Sequence, residues 1–157
     1  MKKLSFSSNR KLLVAVVGGH KCTYEVEQIA IKLGKLLAKV GVILVNGGLS
    51  GVMEATSKGM REAGGVTVGI LPGEDKKAAN PYVDIPIATG LGYTRNTIVA
   101  GCADIIIALP GEYGTLSEIA FALNMKKPVV GIGSWDIKGM KQAKTAEEAV
   151  EIVKGML

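Results

Sequence analysis

Pro110-Gly111-Glu112-Tyr113-Gly114-Thr115-Leu116-Ser117-Glu118 lies between two apolar runs, Ile105–Leu109 and Ile119-Ala120-Phe121-Ala122-Leu123. The first run reads as a buried strand and the second as a helix. A strand, a glycine-containing turn and a helix start together make an anion site. Turn N–H groups and the helix dipole point at one place, and phosphate is the usual occupant there. Glu118 is expected in the first turn of that helix, beside the anion. A carboxylate next to a phosphate site points to chemistry on a nucleotide, or to nucleotide binding.

Three further segments carry similar residues. They are Gly18-Gly19-His20-Lys21, Asn46-Gly47-Gly48-Leu49-Ser50-Gly51 and Thr89-Gly90-Leu91-Gly92-Tyr93-Thr94-Arg95-Asn96. Arg95 is expected at a helix start, where the dipole disfavours a cation. That misfit fits a residue that grips an anion. The Gly47-Gly48-x-x-Gly51 turn lacks both the GxGxxG dinucleotide pattern and the Lys-Ser/Thr of a P-loop. Two glycine-rich turns that each open a helix at one edge could still hold a phosphate and the rest of a nucleotide.

Plainer readings stand beside these. Thr115-x-x-Glu118 also spells a capping box, in which Glu118 only satisfies backbone donors. Arg95 can be an ordinary surface ion pair. Gly47, Gly48 and Gly51 can simply permit a tight turn. His20 reads as a loop residue without a task. Met53, Met60 and Met125 fall at helical core positions. Trp135 covers either a subunit contact or the end of the core.

The elements that must position these residues alternate along the chain. Strands are expected at Leu12–Val17, Val42–Val45, Val66–Leu71, Val83–Ala88, Asp104–Leu109 and Val129–Ile132. Helices are expected at about 23–40, 50–63, 94–101, 115–125 and 145–156. Thr23 is a predicted N-cap, Gly64-Gly65 closes the second helix, and Thr145-x-x-Glu148 is a capping box. Pro72–Tyr82 and Gly133–Ala143 read as loops. Strands that are apolar throughout, separated by helices, predict a Rossmann-like, doubly wound α/β fold with helices on both faces of a parallel sheet. Ligands bind such sheets outside the carboxyl ends of the strands, where all four segments should meet.

With 157 residues, the chain has the length of one nucleotide-binding domain, residues 1–11 reading as a loose arm. It is 48% hydrophobic with 21 glycines and carries a formal net charge of +5. Its basic residues are scattered, as on a solvated face, which argues against a nucleic-acid partner. The two cysteines, Cys22 and Cys102, form no CxxC pair and His20 is the only histidine, so no metal site is expected. The absence of a disulfide framework fits a reducing cytoplasm. Met1-Lys2-Lys3 is followed by polar residues and a short apolar run, which reads as a strand and not a signal peptide. No run is long enough to span a membrane.

Asn46-Gly47-Gly48-x-x-Gly51-Val52-Met53, Arg95 and Pro110-Gly111-Glu112-x-Gly114-Thr115-x-x-Glu118 resemble the signatures of the LOG family, the lysine-decarboxylase-like proteins with GGGxxGLM and PGGxGTxxE motifs. The resemblance covers roughly 12–132 in motif order. It is strongest to a short branch related to molybdenum cofactor carriers. It implies a nucleoside 5′-monophosphate phosphoribohydrolase, which releases a free base and ribose 5-phosphate without a cofactor. Carried over by position, Glu118 is the catalytic acid or base and Arg95 positions it and the ribose. Gly111, Gly114 and Thr115 cradle the phosphate. Gly47, Gly48 and Gly51 line the nucleotide, with Gly18 and Gly19 facing it. A homodimer is implied as well. Three positions depart from the motifs: Asn46 and Glu112 replace glycines, and Ser117 stands where a second acid is common. Two classes therefore stay open: a hydrolase, and a non-catalytic carrier of a nucleotide or of the molybdenum cofactor.

Overall fold

The computed structural model describes residues 10–157. Nearly all of the expected N-terminal arm lies outside the described residues. Among the described residues seven strands form one sheet: β1 (Leu13–Val17), β2 (Ile43–Asn46), β3 (Val66–Leu71), β4 (Ile85–Ala88), β5 (Ile105–Ala108), β6 (Val129–Ile132) and β7 (Lys141–Ala143). Every pairing is parallel, in the order β4-β3-β2-β1-β5-β6-β7. The chain winds outward from β1 to β4, then returns to β5 on the other side of β1. The sheet's switch point therefore lies between β1 and β5, where a crevice is expected.

Five helices cover the two faces: α1 (Tyr24–Val40), α2 (Val52–Glu62), α3 (Arg95–Cys102), α4 (Tyr113–Asn124) and α5 (Ala146–Lys154). Successive strand side chains point to opposite faces. Val14, Val16, Ile105 and Ile107 pack under Leu33 and Leu37 of α1, Met60 of α2 and Val150 of α5. Ala15, Val17, Ile106 and Ala108 pack under Val99 of α3 and Ile119 of α4. Burial on both faces explains why these strands read as unbroken apolar runs. On the first face α1 and α2 touch through their backbones. A methyl group at Gly34 would meet Thr56 O at 2.2 Å, and one at Gly59 would meet Ile31 O at 1.9 Å.

The predicted caps form. Thr23 Oγ1 accepts from Val26 N at 3.3 Å, and Thr145 Oγ1 accepts from Glu148 N at 3.1 Å. Gly64, with φ of 78°, follows α2 as expected. Three expectations are corrected. α4 begins at Tyr113, two residues before the expected start at Thr115, with Glu112 as N-cap. The expected loop at 133–143 contains strand β7, which pairs with β6. Met125, expected in the core, is 43% exposed. Among the described residues no helix is long and apolar enough to cross a membrane.

Candidate functional site

The loops that leave β1, β2 and β5 open at one sheet edge and, with the turn before α3, line a single cleft of about 920 Å³. Gly18, Gly19, Gly47, Arg95, Gly111, Gly114, Thr115 and Glu118 all face it. Gly48 and Gly51, expected beside a nucleotide, stay outside its lining and shape the turn instead. Gly51 has φ of 65°, and a side chain there would meet Gly19 O at 2.3 Å. Asn46 explains its own departure from the glycine motif. Its fully buried amide donates to Met53 O at 3.0 Å and Ser57 Oγ at 2.9 Å, and its oxygen accepts from Gly48 N at 2.8 Å. It joins the end of β2 to α2.

One end of the cleft is built for an anion. Leu116 N makes the first intrahelical bond of α4, to Glu112 O at 3.0 Å. The N–H groups of Tyr113, Gly114 and Thr115 are thus without intrahelical acceptors, and the side chain of the N-cap residue, Glu112, does not cap them. Gly19 N donates to Pro110 O at 2.9 Å, which presses the β1 and β5 loops together. A methyl group at Gly111 would strike Thr115 Oγ1 at 2.0 Å and Gly19 N at 2.9 Å. Glu112 is exposed and lines the mouth of the cleft.

Glu118 sits deeper. It lies in the second turn of α4, not the first, and forms no capping box with Thr115. It is only 8% exposed, and among the described residues its carboxyl has neither a hydrogen bond nor an ion pair. Burial pushes its pKa up to about 8, against the opposing pull of the Arg95 charge. Glu118 is therefore mostly protonated at neutral pH, able to donate a proton or a hydrogen bond.

Arg95 opens α3 and is likewise 8% exposed. Its Nε donates to Ile70 O at 2.9 Å and its Nη1 to Asn96 Oδ1. A side chain at Gly47 would meet Arg95 Nη2 at 2.6 Å, so a larger residue there would displace the guanidinium. Burial lowers the arginine's pKa, and Glu118 and Tyr93 oppose that shift. Arg95 is thus held by backbone and amide acceptors, within electrostatic reach of Glu118 but not paired to it. A buried, perturbed acid beside a fixed cation in a cleft makes this a candidate functional site.

A family model matches residues 11–156. The chain belongs to the SLOG cluster4 family. An uncharacterised protein of Archaeoglobus fulgidus is 44% identical over 144 residues, which are 87% of this chain and 91% of that one. The cytokinin riboside 5′-monophosphate phosphoribohydrolase LOG of Oryza sativa subsp. japonica is 33% identical over 71% of this SLOG chain and 49% of its own length. The SLOG chain therefore spans about half of that enzyme. The molybdenum cofactor binding protein of Rippkaea orientalis superposes with a TM-score of 0.90, at 36% identity, over 95% of this chain and 99% of that one. The LOG-related assignment read from the motifs holds, and so does the Rossmann-like fold.

Four residues of the site were not singled out from sequence as functional. Asn96, 3% exposed, bridges α3 to α4 through Ser117. Tyr93 and Tyr113 line the cleft, and Trp135 stacks on Tyr113. The available signal was the placement of both tyrosines beside glycines in the edge loops, Gly92-Tyr93 and Tyr113-Gly114.

Proposed function

We propose that this protein binds a nucleoside 5′-monophosphate in the cleft and hydrolyses its N-glycosidic bond, releasing the base and ribose 5-phosphate. The observation that carries this reading is Glu118: buried, unpaired, raised to about 8 and set beside Arg95. A residue kept only for packing or capping would have no cause to hold an unpartnered carboxyl in a cleft.

The phosphate takes the N–H groups of Tyr113, Gly114 and Thr115, with Gly111 allowing close approach. Gly18, Gly19 and Gly47 give the ribose room. Glu118, protonated, gives its proton to the departing base nitrogen as the C1′–N bond breaks. The ribosyl centre becomes oxocarbenium-like, and the new carboxylate stabilises that positive charge. Water then attacks C1′ and returns a proton to Glu118. Arg95 stabilises the carboxylate form that exists only between those two transfers. Release of free base from AMP, compared with a Glu118→Gln control, tests the assignment.

A second reading has its own support in the likeness to the Rippkaea orientalis molybdenum cofactor binding protein over nearly its whole length. In it the same cleft carries a molybdenum cofactor or a nucleotide uncleaved. The anion cradle of α4 fits the phosphate of either ligand. Protonated Glu118 then serves as a hydrogen-bond donor. Tight binding of molybdenum cofactor with no cleavage of nucleotides would favour the carrier. Exposed Ile98 on α3, Phe121 on α4 and Met125 just after α4 support the homodimer that the family resemblance implies. Sedimentation analysis tests that assembly.

A further inference from the structure

The chain holds one Trp, two Phe and four Tyr, and three of these rings gather at the cleft. Tyr113 is 81% exposed and Tyr93 is 87% exposed, yet both line the concave site. Tyr113 does not project freely. Its ring stacks on Trp135 with centroids 6.4 Å apart and planes at 27°. Trp135 is itself fixed: half-buried against the α3–α4 side of the core, with Nε1 donating to Glu112 O at 3.2 Å. The indole thus lies against one side of Tyr113, and most of the ring is left open. Glu112 is also the N-cap of α4, so the platform and the anion cradle share one backbone turn.

We propose that Tyr113, backed by Trp135, is the platform on which the planar heterocycle of the ligand stacks, with Tyr93 completing the site from the α3 side. This rests on the reading that the cleft holds a nucleotide-like ligand. Every base presents a π face, so stacking grips the heterocycle without reading its edge. The ring is held in place before binding, which lowers the ordering cost of capture. Phosphate and heterocycle are then bound by separate groups: α4 N–H donors hold one, and aromatic faces hold the other.

Trp135 is the only tryptophan, so its fluorescence reports directly on that stack. AMP and ribose 5-phosphate are titrated into the full-length protein carrying Glu118→Gln, which blocks cleavage, with calorimetry in parallel. AMP is expected to change Trp135 emission, and ribose 5-phosphate to bind without that change. Tyr113→Leu should weaken AMP about 10- to 100-fold and leave ribose 5-phosphate within about twofold, while Tyr113→Phe retains AMP affinity. Unchanged AMP affinity in Tyr113→Leu overturns the platform and leaves the nucleotide site standing. Equal loss of both ligands also overturns it, because the residue would then serve the cradle or the fold. Binding of neither ligand by the parent protein overturns the nucleotide reading and the platform together.

Discussion

Asn96 Nδ2 donates to Ser117 Oγ at 3.2 Å, while Asn96 Oδ1 accepts from Arg95 Nη1. Ser117 Oγ in turn donates to Gly114 O at 2.6 Å. One buried amide therefore joins the helix that carries Arg95 to the helix that carries Glu118. Ser117, where a second acid is common in the family, serves here as the far end of that bridge. The cation and the acid are held in register through neighbours instead of through a direct ion pair.

Asn96→Ala is expected to lower kcat for AMP by about tenfold or more, because a misplaced catalytic pair loses transition-state stabilisation. KM should move less, since Asn96 reaches the anion cradle only indirectly, through Ser117 and the Gly114 carbonyl, and not through the cradle N–H groups. The stability loss should be about 1–2 kcal/mol, the cost of leaving buried partners unpaired. Steady-state kinetics and urea denaturation read the two effects separately. Equal changes in kcat and KM would contradict the bridge as a positioning device.

Glu118 also links stability to pH. Its folded-state pKa of about 8 lies above the ordinary value of 4.5. Between those values the native state binds the extra proton, so stability falls as pH rises through that window. Glu118→Gln removes this dependence. Relative to the parent it should be nearly neutral at pH 4 and stabilising at pH 9, on the order of a few kcal/mol. Urea denaturation at the two pH values is the check. A difference that does not vary with pH would mean that Glu118 is not held neutral by burial.

The same proton governs the rate. For a general acid, kcat/KM for AMP should fall as pH rises past about 8, where Glu118 ionises. Arg95→Met removes the charge that favours the carboxylate. It should lower kcat and move the falling limb to higher pH. A profile that rises through pH 8 would assign Glu118 as a base in the free enzyme and reverse the proposed order of proton transfers.

Gly111→Ala tests the anion cradle, because the added methyl group would lie 2.0 Å from Thr115 Oγ1 and 2.9 Å from Gly19 N. Affinity for AMP and for ribose 5-phosphate should fall together by about tenfold or more, the loss of roughly one charge-assisted hydrogen bond. Calorimetry reads both. Retained ribose 5-phosphate binding would place the phosphate elsewhere.

The sheet was legible because its central strands are buried on both faces. Val14–Val17 and Ile105–Leu109 are apolar without a break, and glycine turns punctuate them. Thr23 and Thr145 marked helix starts through local chemistry that needs no tertiary context. Strand β7 was missed because Lys141-Gln142-Ala143 is a short, mostly exposed edge strand with no apolar pattern. The start of α4 was misplaced because Thr115-x-x-Glu118 spells a cap. The β1 loop fixes the turn before it, through the Gly19–Pro110 bond. That Arg95, Glu118 and Gly111 share one edge was legible because fold topology sends their loops there. Gly48 and Gly51 fall outside the cleft lining, and a glycine that shapes a turn and one that lines a ligand look alike in sequence. The Asn96–Ser117 bridge and the Tyr113–Trp135 stack arise only when distant segments pack together.

The roles proposed for Glu118 and Arg95 stand or fall on cleavage of an N-glycosidic bond. The direct measurement is the incubation of AMP with the full-length protein at pH 7, following adenine and ribose 5-phosphate together. Both products are expected in equal amounts, with turnover reduced at least about a hundredfold in Glu118→Gln, the scale of a lost general acid. AMP that binds but stays intact in the parent protein, or cleavage that survives Glu118→Gln unchanged, would contradict those roles.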